Sequence, residues 1–125
     1  MATAIVVNAD IGAGPAIRAR LLGDGFVVHA IDNAAADRSS VGGAVARIGA
    51  DYGVDLLVNN APRFEVRNAL DMSAASFSSL LGSGLHGVFS SCREAARCAA
   101  ESGTELVIVN VISTLAVVGL AGRMG

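Results

Sequence analysis

The stretch Ala4-Ile5-Val6-Val7-Asn8-Ala9-Asp10-Ile11-Gly12-Ala13-Gly14-Pro15 decides the fold. An apolar run long enough for one strand breaks into a turn with two glycines separated by one residue, and the helical pattern of Ile17, Leu21 and Leu22 follows at once. Glycine adopts left-handed backbone freely and leaves neighbouring peptide N–H groups uncovered. Pro15 suits the first turn of a helix, where its missing N–H removes no helical bond. Strand, glycine turn and helix in this order begin a parallel β-α-β unit, with the positive end of the helix over the turn.

Three further apolar runs, at residues 26–31, 56–58 and 106–112, are rich in Val, Ile and Leu and show no clean alternation. Such runs read as parallel strands covered on both faces. Helical patterns separate them: Val41, Val45, Ile48 and Tyr52; then Phe77, Leu80 and Leu81; then Leu85, Val88, Phe89, Cys92, Ala96 and Ala99. Asp37 or Ser39, and Ser73, are suited to N-caps, and Gly103 to a helix end. Strand alternating with helix predicts an α/β fold: a doubly wound, Rossmann-like parallel sheet in three layers with right-handed crossovers. At 125 residues the chain suits one such domain over residues 1–125.

Composition removes several classes of function. Hydrophobic residues make up 53% of the chain against 16% charged, which excludes disorder. The net charge is −2, and the nine basic residues are all scattered arginines, so no basic stripe exists to track a nucleic acid. The apolar stretch at 106–121 is interrupted by Asn110, Ser113 and Thr114 and falls short of a membrane span. Cys92 and Cys98 are six apart on a helical pattern, about 9 Å along the axis and about 240° around it, so they do not pair with each other. Two thiols, and a start Met1-Ala2-Thr3 without a secretory pattern, predict a cytoplasmic protein. His29 reads as a packed core residue and Tyr52 as core packing, His86 as a cap or a solvated side chain. No spacing suggests a metal site.

The turn carries the chemistry. A dinucleotide pyrophosphate needs backbone that approaches closely and N–H groups at a helix start, and Gly12 and Gly14 lie where those roles arise; Asn8, Asp10 and Ile11, in the same turn, are counted with them as cofactor-binding residues. A Gly-x-Gly alone also serves as a tight turn in other α/β proteins. Asp32 ends the second apolar run, 18 residues after Gly14, where a carboxylate accepts from ribose hydroxyls and repels a 2′-phosphate. Ile11 and Asn33 offer no cation against that repulsion, so NAD is preferred over NADP. The other reading of Asp32 is a loop cap at a strand end.

These residues resemble, in order and along essentially the whole chain, the short-chain dehydrogenases/reductases. The family's Thr-Gly-x-x-x-Gly-x-Gly is similar to Val7-Asn8-Ala9-Asp10-Ile11-Gly12-Ala13-Gly14, with Asn8 for the first glycine; asparagine also visits left-handed backbone. Asn59-Asn60-Ala61-Pro62 is similar to its Asn-Asn-Ala-Gly, which adds Asn59, Ala61 and Pro62 to the cofactor-binding set. Ile108-Val109-Asn110-Val111-Ile112-Ser113 resembles the strand leading to the catalytic serine, which makes Ser113 the catalytic residue by resemblance.

The departures have consequences of their own. Residues 32–39 are too few for the helix and strand that the family usually places there, so one sheet edge is expected to be trimmed. Pro62 stands for a glycine, and in Gly84-Leu85-His86-Gly87 the relay asparagine of the family's Asn-Leu-x-Gly is Gly84. The Tyr-x-x-x-Lys pair is expected 13 residues after the serine, just beyond Gly125, while the chain itself has one tyrosine, Tyr52, and no lysine. Arg123 is off the pattern and receives no role. The resemblance implies an oxidoreductase-like chain, truncated, that binds NAD(H) and has an incomplete site for a small carbonyl or alcohol substrate. The helix from Leu85 to Ala99 resembles the family's dimerisation helix, so a homo-oligomer is expected. Two alternatives are a cofactor-free relative of the halohydrin dehalogenases, suggested by Asn8 and the start Thr3-Ala4-Ile5, and a non-catalytic nucleotide-binding or association module. Gly12, Gly14 and Asn59-Asn60-Ala61 argue against the dehalogenase, since a pocket without a pyrophosphate has no need of bare backbone.

Overall fold

The computed structural model describes residues 1–32, 38–60 and 66–122. Strand β1 (Thr3–Val7) leads through the glycine turn into helix α1 (Gly14–Gly23), and β2 (Val27–Ile31) follows. Helix α2 (Arg38–Tyr52) precedes β3 (Leu56–Asn60), and α3 (Ala74–Leu81) and α4 (Gly87–Ser102) precede β4 (Val107–Val111). All pairings are parallel and the order is β2-β1-β3-β4. This is the doubly wound α/β fold that alternation of strand and helix predicts. β2 forms one edge of the described sheet, in keeping with the short segment at residues 32–39.

Burial follows from sheet order. β1 is paired on both sides and all five of its residues are buried. Partners in register share a face. Ile5, Val7 and Leu57 join Val45, Val54, Ala95 and Cys98 in the core under α2 and α4, whereas Val6 and Val58 pack beneath Ile17 and Leu21 of α1. The chain passes from β2 to β3 across β1, so the carboxyl ends of β1 and β3 diverge toward different connections, the position where open α/β sheets hold ligands.

Helices α2 and α4 approach closely because their facing positions are small. A Cβ placed on Gly42 would lie 3.0 Å from Ser90 Cβ, and one on Gly49 would lie 2.7 Å from Cys98 Sγ. This seam corrects the apolar stripe expected for α4. The positions turned inward are Gly87, Ser91, Ala95, Cys98 and Ala99, while Phe89 is 61% and Leu85 69% exposed. A phenylalanine in the seam would force the helices apart.

Two other expectations are revised, and the choice of cap for α2 is narrowed. Tyr52 is not core but 62% exposed, with its ring 4.5 Å from that of His29, whose Nε2 is buried without a partner. Val107, Ile108 and Val109 of β4 are exposed, not covered on both faces; β4 is an edge strand among the described residues, and no helix packs substantially against it there. Helix α2 starts at Arg38, so Ser39 lies within it; Asp37 lies outside the described residues. Ser73 does cap α3, accepting from the Ser76 N–H at 3.1 Å, and left-handed Gly103 (φ 68°) ends α4. A π-helical turn, Gly82–His86, joins α3 to α4.

Candidate functional site

The turn after β1 is shaped by two left-handed residues. Asn8 and Gly12 both have φ 55°, and Asn8 is the one non-glycine residue with positive φ among the described residues. Gly14 is required for a different reason, because a Cβ there would lie 2.5 Å from the Asn8 carbonyl oxygen and 2.7 Å from the Ala9 carbonyl carbon. Helix α1 therefore begins against the backbone of the turn, which only a residue without a side chain allows. Its start carries no side-chain cap and no acidic residue in the first turn, so no charge of the helix itself opposes an anion at its positive end.

Hydrogen bonds fix the turn from inside. The Asn60 Nδ2 amide donates to the carbonyls of Asn8 (3.0 Å) and Ile11 (2.8 Å). In return, Asn8 Nδ2 donates to the Asn60 carbonyl at 2.6 Å. The Ile11 carbonyl also accepts from the Gly14 N–H (2.9 Å), and the Ala9 N–H reaches the Ile31 carbonyl at 3.3 Å. In a planar trans peptide the N–H points opposite the preceding C=O. With the Ile11 carbonyl drawn inward to Asn60, the Gly12 N–H faces outward from the turn.

Asn59 and Asn60, adjacent on β3, face opposite sides of the sheet. Asn59 is buried and bound to its own set of partners: Ser91 Oγ donates to its Oδ1 at 2.6 Å, and its Nδ2 donates to Asn110 Oδ1 at 2.9 Å and to Cys92 Sγ at 3.3 Å. It ties β3 to β4 and α4 rather than meeting the turn. The residue that meets the turn is Asn60, to which the sequence motif alone assigns no role; strand register, unknown until pairing is seen, decides between the two.

The other residues gather along the carboxyl edge of the sheet. Asp32 is exposed and directly follows Ile31, whose carbonyl holds Ala9 of the turn. Asp10 and Gly12 are exposed and Ile11 half-buried. Ser113 lies two residues past β4, where its hydroxyl accepts from the Leu115 N–H at 3.1 Å and caps a short 3₁₀ turn, Thr114–Ala116. Ala61 and Pro62 lie outside the described residues. Tyr52 is at the opposite edge: its carbonyl accepts from the hydroxyl of Thr3, the first residue of β1. Among the described residues, the shifted protonation equilibria lie on helix surfaces away from the turn, where hydrogen bonding to Asp24 and to Glu94 holds Arg20 and Arg97 more firmly protonated. No cluster of three or more His, Cys, Asp or Glu suited to a metal occurs among the described residues. No helix among them is long and apolar enough to cross a membrane.

The sequence profile of the family described as short chain dehydrogenase matches residues 2–124. No curated protein matches the chain significantly. Among solved structures, a short-chain dehydrogenase/reductase from Serratia marcescens is 25% identical, with a TM-score of 0.79 over 97% of this chain and 62% of its own. A 4-hydroxyisoleucine dehydrogenase complexed with NADH and succinate is 20% identical, with a TM-score of 0.84 over 96% of this chain and 63% of that one. A variant of ElxO with NADPH bound is 15% identical, with a TM-score of 0.80 over 95% and 58%. The likeness to the last two is one of fold. The chain spans about three fifths of the length of these solved relatives.

Proposed function

The chain belongs to the short-chain dehydrogenase family, and from that premise we propose that it binds a nicotinamide dinucleotide at the turn between β1 and α1, NAD(H) in preference to NADP(H). The observation that carries this reading is the exposed, left-handed Gly12, with the preceding Ile11 carbonyl bound by Asn60, at the start of α1 and beside the switch point of the sheet. Gly12 and the amino end of α1 take the pyrophosphate, with Asn8, Asp10, Ile11 and Gly14 shaping the backbone around it. Asp32 accepts from the ribose hydroxyls and disfavours a 2′-phosphate. Asn59 supports the site by holding β3 to β4; Ala61 and Pro62, counted with the cofactor-binding set by resemblance, lie outside the described residues. One relative of the same fold carries NADH and another NADPH, so the preference rests on Asp32 itself. Titration calorimetry with both cofactors tests it. Saturable NADH binding, with NADPH at least about tenfold weaker, is expected; no heat with NADH overturns the reading.

When bound, the nicotinamide supplies or takes up a hydride. Ser113, whose oxygen already accepts from Leu115, has its own O–H to donate to the oxygen of a small carbonyl or alcohol substrate and so orient it. A serine hydroxyl is too weak an acid to protonate that oxygen efficiently, and Tyr52 is at the far edge of the sheet. Residues 1–125 alone therefore bind cofactor and turn over little. Robust NADH oxidation by this chain with simple ketones would contradict that.

We further propose that the chain self-associates in the cytoplasm. Leu85 and Phe89 on the α4 side and Val107 and Val109 on β4 are exposed apolar surface. The free thiols Cys92 and Cys98 suit a reducing compartment.

A further inference from the structure

Asn8 is the feature the fold does not require. Left-handed backbone is open to glycine at no cost and disfavours an asparagine, yet here an asparagine is held at φ 55° immediately past the last rung of the β1–β3 ladder, Val7 with Asn59. At the next rung the backbone of β1 has already turned away. Two side-chain amides take over, Asn8 Nδ2 to the Asn60 carbonyl and Asn60 Nδ2 to the Asn8 carbonyl. The Asn60 amide has a second hydrogen, and it goes to the Ile11 carbonyl. All of this lies at a residue only 2% exposed.

We infer that Asn60 is a positioning residue for the dinucleotide site: its amide locks Asn8 in left-handed backbone and rotates the Ile11–Gly12 peptide so that the Gly12 N–H faces the phosphate. The inference rests on the turn being that site, and it goes further in making the demand for Asn60 conditional on the residue at position 8. With asparagine there, the clamp supplies what the backbone lacks. With glycine there, the same backbone is reached unaided and the clamp loses much of its effect. A merely structural Asn60 would show no such dependence.

The test is a double-mutant cycle of wild type, Asn8→Gly, Asn60→Ala and the double variant, read by NADH titration and by amide hydrogen exchange without ligand. Asn60→Ala is expected to weaken NADH binding about tenfold in the wild-type background and about threefold or less in the Asn8→Gly background. Exchange at the hydrogen-bonded Ala9 and Gly14 N–H groups of the turn should quicken in Asn60→Ala and be restored in part by Asn8→Gly. If Asn60→Ala does not fold, Asn60→Ser, which keeps one donor in place of two, takes its place in the cycle. Equal losses in both backgrounds, with equal exchange, overturn the inference. Should wild type not bind NADH at all, the proposed cofactor falls, and the exchange measurements still decide whether Asn60 locks the turn.

Discussion

Gly12 and Gly14 are two residues apart and answer different constraints, so their alanine variants should fail in different ways. Gly12→Ala places a side chain at φ 55° on an exposed residue. It should cost about 1–2 kcal/mol of stability and weaken NADH binding more than it lowers the melting temperature. Gly14→Ala drives a Cβ into backbone at 2.5 Å, where no rotamer gives relief. It should lose about 1–3 kcal/mol or more in a urea titration, with binding lost because the turn itself is displaced. Asp32→Ser should leave NADH binding within a few fold and bring NADPH closer to it by about tenfold, as two calorimetric titrations would show. Gly12 and Gly14 were legible in the sequence because the backbone they need is written in their residue type. The division of labour between Asn59 and Asn60 was not, since neighbours on a strand face opposite sides and only register says which side is which.

At the scale of elements, the seam between α2 and α4 is an exacting contact. Gly49→Ala would set a methyl 2.7 Å from Cys98 Sγ and 3.0 Å from its Cβ, and should destabilise by about 1–3 kcal/mol. Adding Cys98→Ala removes the sulfur and should recover part of that loss in thermal melts; no recovery would mean that the helices separate for another reason. The four strands and the alternation of helices could be read from apolar runs and caps, with Ser73 and Gly103 fulfilling the roles their types suggest. The inward face of α4 could not. Hydrophobic periodicity favours Phe89 and Ala96, but the closeness of α2 selects Ser91, Ala95 and Cys98 by size. Ser91 is tolerable there because Asn59 accepts its hydroxyl hydrogen.

Across the whole molecule, apolar surface is spread unevenly. It collects on the α4 side at Leu85 and Phe89 and along β4, while the paired charges Arg97, Glu94 and Glu101 occupy another part of α4. Phe89→Glu should lower the mass found by light scattering if α4 is the contact, and leave the circular dichroism of the fold intact, since the ring is already 61% exposed. The same asymmetry shows why β4 reads in the sequence as a covered strand: a run of Val and Ile looks alike in the middle of a sheet and at its edge. Tyr52 has a practical consequence. The chain has one tyrosine and no tryptophan, so its near-ultraviolet emission comes from a single phenol leaning on His29, at the edge of the sheet away from the turn. That emission is an optical gauge of whether the end of α2 still rests on β2, and it can be followed while NADH is titrated at its own, longer wavelength.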